Sequence, residues 1–357
     1  MIITIDGPRA CKLDERADMI ALIDSVMRVG TGQSVLTDYP LVYCNENLSN
    51  VQIIKVNGRI VSVVPFIPHD IKIGDCHFKI GIISPTVTHP EHRKQGYARL
   101  CLKSCVQLME HSEIDLSVLW TMVPTFEFYR HAEYQAIGEQ HSMFQLTLGD
   151  AREFELSAGQ IDTLNVNSKA DMDAIRRLHE QEPTGVHRPA GNYPLLFSLP
   201  RMKTLFARQN GNIVAYLLVS YAVNKPGLIE AGGNEIAISS LIRHVLSQLP
   251  LGETMRAYIN HSPHAFDRVL HRALPGRRQP SAAGHEMIRI NHPMEFLNKI
   301  SPSISVKTAE TLARSRLSRK DSTAAIFGAH MAMSANVPND LHVDPAFYFP
   351  IWMLDHS

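Results

Sequence analysis

The sequence predicts an α/β (α+β) protein: two similarly ordered domains, each a mixed sheet flanked by helices, with a short C-terminal segment after them. Three observations carry this. The chain has 357 residues, more than one hydrophobic core usually organises, and its 45 % apolar and 20 % charged residues are the balance of an ordinary globular protein. Apolar residues alternate between the period of strands and that of helices, with several strands per helix, which points to a mixed sheet covered by helices. The same order of elements then runs twice, over residues 1–150 and again over 160–295, leaving 296–357 as the appended segment.

The first pass opens with a β-branched strand over residues 1–5 and a helical stripe over 13–28, carried by Ala17, Ile20, Ala21, Ile23 and Met27. Strand-like runs at 51–56 and 59–67 flank Asn57-Gly58, a pair that accepts the positive φ angles of a tight hairpin. A strand-like run over 77–88 is interrupted near Ser84-Pro85. The helix over 97–109 lines up Ala98, Leu102, Cys105, Val106 and Met109 on one face. A strand at 114–121 follows, then a short helix from Pro124, a residue suited to a first helical turn, to His131. Strands at 134–138 and 142–148 are expected to close the first sheet, and 151–160 to link the domains.

In the second pass, Ser168 with Asp171 three residues on resembles a capping box for a helix over 170–181. Strands follow at 203–208, 213–222 and 227–231, then Gly232-Gly233, an amphipathic helix over 234–249, a strand at 254–260, a helix at 264–273 and a closing strand at 285–291. The appended segment holds a basic helix candidate over 307–319 and an aromatic run from Phe347 to Trp352. Such a run is costly to leave in water and is expected to dock on the body of the protein.

Composition excludes several function classes. The 35 basic and 35 acidic side chains cancel, whereas a nucleic-acid partner asks for a basic excess to neutralise phosphates. The cysteines Cys11, Cys44, Cys76, Cys101 and Cys105 are odd in number and form no Cys-x-x-Cys pair, so reduced and mostly buried thiols are expected. No signal segment opens the chain and no stretch approaches the roughly 20 apolar residues of a membrane span, so the cytoplasm is the expected location, with no membrane partner. Among the histidines no metal-ligand spacing occurs, and neither a P-loop lysine motif nor a Gly-x-Ser-x-Gly elbow is present. No metal is expected.

The informative stretch is the strand-to-helix turn Arg93-Lys94-Gln95-Gly96-Tyr97-Ala98. A turn opening a helix leaves backbone N–H groups unpaired at the positive end of the helix dipole, which makes a seat for a diphosphate. Gly96 lets backbone approach phosphate, Ala98 permits close packing, and Arg93 and Lys94 supply charge. A solvated basic loop ahead of a core helix is the plainer alternative.

With the turn placed after its fourth strand, the first ~150 residues resemble the GNAT superfamily of N-acyltransferases. Arg93-x-x-Gly96-x-Ala98 is similar to the family's Gln/Arg-x-x-Gly-x-Gly/Ala motif. Phe128-Tyr129-Arg130-His131-Ala132-Glu133-Tyr134 is similar to its Phe-Tyr-x-x-x-Gly-Phe/Tyr signature, with Glu133 where glycine is usual. The tandem order is similar to the double-GNAT layout of the enhanced-intracellular-survival acetyltransferases, although the last segment is shorter than theirs. The resemblance implies acyl transfer, acetyl in the first instance, from acetyl-CoA as cosubstrate to a small-molecule or peptide amine. It implies that the cosubstrate lies in a split between the fourth and fifth strands, its pantetheine arm beside Ser84, Thr86, Val87 and Thr88, and its diphosphate on Arg93, Lys94, Gln95, Gly96, Tyr97 and Ala98.

Aminolysis of a thioester asks for a deprotonated amine, an N–H donor to the oxyanion and an acid for the departing thiolate. Tyr129, the motif tyrosine, is the expected acid, with Tyr134 the more structural one. The double-GNAT resemblance points to the terminal carboxylate of Ser357, after Asp355 and His356, as the base; Glu91 and Glu127 are weaker candidates. In the second pass Gly232-Gly233-Asn234 stands where the CoA motif should be but lacks its pattern, so that repeat is expected to have lost CoA binding and to support the cleft. A non-catalytic acyl-CoA-binding module and an interaction scaffold stay open, as does oligomeric state, a homo-oligomer included.

Overall fold

The computed structural model describes residues 3–137, 142–221, 226–259, 264–280, 285–303, 310 and 317–327. The first pass runs β1 (Ile5–Ala10), α1 (Arg16–Met27), α2 (Val35–Asp38), β2 (Val51–Val56), β3 (Arg59–Ile73), β4 (Cys76–Ile83), β5 (Val87–Thr88), α3 (Tyr97–His111), β6 (Leu116–Thr121), α4 (Phe126–Arg130), β7 (Gln135–Ala136) and β8 (Ser142–Thr147). The second runs β9 (Gln160–Thr163), α5 (Lys169–Gln181), β10 (Thr184–His187), α6 (Asn192–Phe197), β11 (Met202–Gln209), β12 (Asn212–Ser220), β13 (Gly227–Gly233), α7 (Glu235–Leu246), β14 (Thr254–Ile259), α8 (Ala265–Ala273), β15 (Gln279–Pro280) and β16 (His285–Ile290). After them come α9 (Pro293–Ile300) and α10 (Arg319–Phe327).

Two mixed sheets result. The first has the order β1-β2-β3-β4-β6-β16-β7, with β5 and β10 added along β3; the second has β9-β11-β12-β13-β14-β8-β15. The two orders correspond position by position, which makes the passes structural repeats. The closing strands, however, are exchanged. β8, expected to close the first sheet, pairs antiparallel with β14, Leu146 opposite Met255. β16, expected in the second, pairs antiparallel with β6, Ile288 opposite Val118. A strand's alternation fixes which of its faces is buried, but either sheet presents the same gap beside a two-residue edge strand, so local pattern does not choose between them.

Other differences have local causes. The strand expected over residues 1–5 instead runs from Ile5 to Ala10, with residues 3 and 4 outside it, and it passes through Pro8, where an edge strand tolerates the missing N–H. β10 is only four residues long and is a strand because the far end of β3 receives it, Val186 opposite Ile71. Neither β10, α6 nor α9 carries enough periodicity to be seen in sequence. The β2–β3 turn forms as its dipeptide requires, with φ of 49° at Asn57 and 81° at Gly58. Ser168 caps α5 by accepting the Asp171 amide.

The first sheet is covered on both faces. On one, α3 buries Cys101, Leu102, Cys105, Val106 and Met109 against Val64, Phe66 and Leu119. On the other, α1 buries Met19, Ile20, Leu22 and Ile23 in a core continuous with that of the second repeat. Each such large apolar side chain contributes about 1.5–3 kcal/mol on burial. All five cysteines are free thiols, Cys44 half-buried and the others buried. No described helix is long and apolar enough to cross a membrane. The run Phe347 to Trp352, and the basic helix candidate apart from residues 310 and 317–319, lie outside the described residues.

Candidate active site

The site begins where two parallel strands part. β4 and β6 pair at Ile80–Leu116, Gly81–Ser117 and Ile82–Val118 and no further. Past Ile83 the chain bulges through Ser84, Pro85 and Thr86, and β5 returns to β3, with Val87 opposite Val63 and Thr88 opposite Ser62. β6 continues beside β16 as far as Thr121 opposite His285. The edge of Thr86, Val87 and Thr88 facing away from β3 therefore borders a split, and backbone N–H and C=O groups along such an edge call for partners.

Above the split, His89 accepts the Glu91 amide at 3.3 Å and starts a short turn. The chain then passes Lys94 at φ 61° and Gly96 at φ 85°, ψ −2°, and α3 begins. No side chain caps α3. A Cβ on Gly96 would meet nothing within 4 Å, so glycine is needed for its left-handed φ, which costs an L residue about 1–2 kcal/mol, and not for lack of room. Arg93, Lys94 and Arg99 are exposed around these first amides. Arg93 Nε donates to the Thr88 carbonyl and Gln95 Nε2 to that of Glu91, each at 3.3 Å, which ties the loop in place. Tyr97 is buried in the α3 core and Ala98 is half-buried, so both reach the seat through backbone only. Uncapped amides, open space and flanking cations fit a diphosphate.

Tyr129 stands on the far side of the split from the β4–β5 bulge. Its half-buried ring packs edge-on against Phe128, with centroids 4.8 Å apart, and against Tyr134 at 6.0 Å. Burial raises the phenol above its ordinary value, and a hydrogen bond with Thr86, across the split, pulls the other way without reversing it. Tyr134 is fully buried on the Ser117 hydroxyl, and burial pushes its phenol up much further. That is the environment of a structural tyrosine. Glu133 adopts φ 65°, the angle glycine would take, and its carboxylate pairs with Arg319 on α10 and, at 3.5 Å, with Arg289 on β16. The motif turn is kept, and the side chain that glycine lacks ties down the end of the chain's described part. Glu91 is exposed, and Glu127 is exposed and paired with Arg130 at 2.6 Å. Ser357, with Asp355 and His356, lies outside the described residues.

The equivalent place in the second repeat is built differently. Gly233 has φ 105°, and a Cβ there would come within 2.3 Å of the Val214 carbonyl oxygen, so backbone fills the space that is open at Gly96. Asn234 Oδ1 caps α7 by accepting the Ala237 amide at 3.1 Å. Glu182 accepts the Ala265 amide at 3.1 Å. Burial acts to raise its carboxyl, but His264 and the Ala265 and Gly233 amides outweigh that and lower it. Glu235 in the first turn pairs with Arg268 at 2.7 Å and with Arg272. Side chains of the protein thus accept amides at the starts of α7 and α8, where α3 has no cap. A cavity of about 510 Å³ borders Gly233 and Asn234, and one of about 600 Å³ lies between the β3–β4 hairpin and β10; neither touches Gly96 or Tyr129. No group of three or more potential metal ligands occurs among the described residues.

A family model of the acetyltransferase (GNAT) domain matches residues 8–137, from β1 through β7. Residues 8–137 are a GNAT acetyltransferase domain. The fold of the longer chain is similar to that of several solved structures. A probable N-acyltransferase from Enterococcus faecalis V583 superposes with a TM-score of 0.65 at 15 % identity, over 84 % of this chain and 75 % of that one. A GCN5-related N-acetyltransferase from Kribbella flavida gives 0.61 at 14 % identity, over 81 % and 71 %. Eis1 from Mycobacterium abscessus gives 0.58 at 12 % identity, over 84 % and 76 %. No curated protein matches the chain in sequence. The two corresponding sheets fit a tandem GNAT layout.

Proposed function

We propose that the chain is an N-acyltransferase that moves an acyl group, acetyl in the first instance, from CoA directly to an amine on a small molecule or peptide. The observations that carry this are the hydrogen bond of Tyr129 with Thr86 at the split and an α3 N-terminus that no side chain caps. Bound acetyl-CoA would supply the activated thioester. The amides of Gln95, Gly96, Tyr97 and Ala98, with Arg93 and Lys94, would hold its diphosphate, and the open edge of Thr86, Val87 and Thr88 would pair with its pantetheine amides. Tyr129 keeps its proton through neutral pH, because burial raises its pKa, and can give it to a departing thiolate. The terminal carboxylate of Ser357 is the proposed base. The second repeat, its own seat filled by Glu182 and Asn234, serves as support for the cleft. Five cysteines outside any disulfide suit a reducing compartment such as the cytoplasm.

Calorimetric titration with acetyl-CoA and a thiol-release assay over an amine panel test this together. One acetyl-CoA site per chain and amine-dependent release of CoA are expected. Binding without release for any amine would make the chain an acyl-CoA-binding module, and absence of binding heat would make it a scaffold.

A further inference from the structure

The bulge between β4 and β5 is held from a distant part of the chain. Its Ser84 amide donates to the Pro65 carbonyl on β3 at 3.1 Å, and Thr86 Oγ1 donates to the Ser84 carbonyl at 3.5 Å. The Pro85 carbonyl is taken by a side chain instead. It accepts from the hydroxyl of Tyr43 at 3.3 Å, a residue of the loop joining α2 to β2 and 42 positions away. Tyr43 belongs to the core that α1 also enters, whereas Tyr129 packs against the core of α3.

Tyr43 is itself fixed at several points. Its side chain is fully buried. Arg16 Nε on α1 donates to its backbone carbonyl at 2.7 Å, and its amide donates to the Tyr39 carbonyl at 3.4 Å. Four residues on, buried Asn47 donates through Nδ2 to the Val42 carbonyl at 2.7 Å and to that of Phe66 at 3.0 Å. The loop is thereby fastened to β3 beside Pro65, the residue that anchors Ser84. A buried hydroxyl costs free energy unless it is bonded, and phenylalanine would fill nearly the same space. Among the described residues this hydroxyl bonds only to the bulge. Burial raises the phenol well above its ordinary value, so it stays a donor. Nothing in its own stretch of sequence marks Tyr43.

The Pro85–Thr86 peptide is trans, and in a planar trans unit the C=O and N–H point in opposite directions. With its carbonyl held by Tyr43, this unit turns the Thr86 N–H away from Tyr43. That N–H meets no acceptor among the described residues. The side chain of the same residue bonds with Tyr129 across the split. Thr86 therefore offers a donor of fixed direction and a contact to the proposed acid.

We infer that Tyr43 is a positioning residue for acyl transfer, which aims the Thr86 N–H at the thioester oxygen. The amine adds to the thioester carbon, the C=O electron pair moves to oxygen, and the N–H receives that charge. On collapse the C–S bond breaks, the thiolate takes the Tyr129 proton, and the amine's surplus proton passes to the base; Tyr129 is reprotonated from water. Tyr43 touches none of the reacting atoms. The inference rests on the acyl-transfer reading above, and the test separates the two.

Tyr43→Phe removes the hydroxyl and keeps the ring. The kcat for amine-dependent CoA release should fall about 10- to 100-fold, since a misaimed oxyanion donor loses part of the 10²–10³-fold that a deleted one costs. The KM for the amine and the Kd for acetyl-CoA should stay within about threefold of the parent values, a split that a merely loosened core would not produce. Infrared spectra of bound acetyl-CoA, isotopically labelled at its thioester carbonyl, read the donor directly. The carbonyl band should lie below its position in buffer on the parent and move back on the variant. Tyr43→Met, flexible enough to repack the space, repeats both readouts if the phenylalanine variant does not fold. Tyr39→Phe, in the same loop, should leave both unchanged. A kcat within about threefold of the parent in either folded Tyr43 variant, a carbonyl band that parent and variant share, or an equal loss in Tyr39→Phe would overturn the assignment. If the parent protein binds no acetyl-CoA or acylates no amine, acyl transfer itself fails.

Discussion

Tyr129→Phe isolates one hydroxyl. The ring contacts with Phe128 and Tyr134 survive the substitution, and only the bond with Thr86 is lost. A single hydrogen bond of this kind is worth about 1 kcal/mol net, and the more apolar phenylalanine recovers part of it in a half-buried setting, so folding should be little affected. A positioned general acid contributes about 10²–10⁴-fold to rate, and kcat for CoA release should fall by that factor. The proposed diphosphate seat is made of other residues, Arg93 to Ala98, and acetyl-CoA affinity by calorimetry should remain within about twofold. The sign of the pH dependence follows from the raised phenol. The acid is competent while protonated, so this residue should impose no alkaline loss of kcat below pH ~10, the ordinary tyrosine value. A kcat within a factor of about three of the parent would remove Tyr129 from the chemistry. A parallel loss of acetyl-CoA affinity would show that it acts through the seat.

Gly96→Ala puts an L residue at a left-handed angle at a cost of about 1–2 kcal/mol without any clash, so it should lower stability in urea unfolding by no more than about that amount and, as the turn relaxes, weaken acetyl-CoA binding about tenfold in calorimetry. Deleting Asp355 to Ser357 should leave acetyl-CoA affinity intact and lower kcat by about 10² or more if the terminal carboxylate is the base; unchanged turnover would discard that role. In the second repeat, Arg188 and Glu230 are both buried and pair at 2.6 and 3.1 Å, with the Tyr216 hydroxyl donating to the same carboxylate at 2.6 Å. Glu230→Gln leaves the guanidinium without its counter-charge and should cost about 3–5 kcal/mol in urea unfolding; a cost under ~1 kcal/mol would refute the pairing. Burial by itself would raise the Glu230 carboxyl, but Arg188 and His179 outweigh it and hold the group well below its usual range. Its contribution to stability is therefore present above the unfolded value of about 4.3 and is lost as pH falls below it, a decline that Glu230→Gln should lack.

Much of the local structure of the candidate site was legible because its signals are local. The turn at Gly96 announces itself through one glycine and two neighbouring cations, and the hairpin at Asn57-Gly58 through two adjacent residues that take positive φ. Tyr129 could be singled out from Tyr134 by motif position, and burial explains the difference, since Tyr134 is sealed against Ser117. Glu133 was read as a departure, yet its backbone adopts the angle a glycine would and its carboxylate finds Arg289 and Arg319 far along the chain.

Residue order along the chain settled the α/β class, the repeated succession of elements, the turn that opens α3 and the tyrosine opposite it. Each depends on interactions within a few residues: periodic burial, a left-handed glycine, a helix end. Which sheet receives β8 and which receives β16 was decided only in three dimensions. Strand pairing is a contact between distant segments, and two sheets of matching layout offer each strand an equivalent edge. The choice between them lies in packing that no single stretch of sequence records.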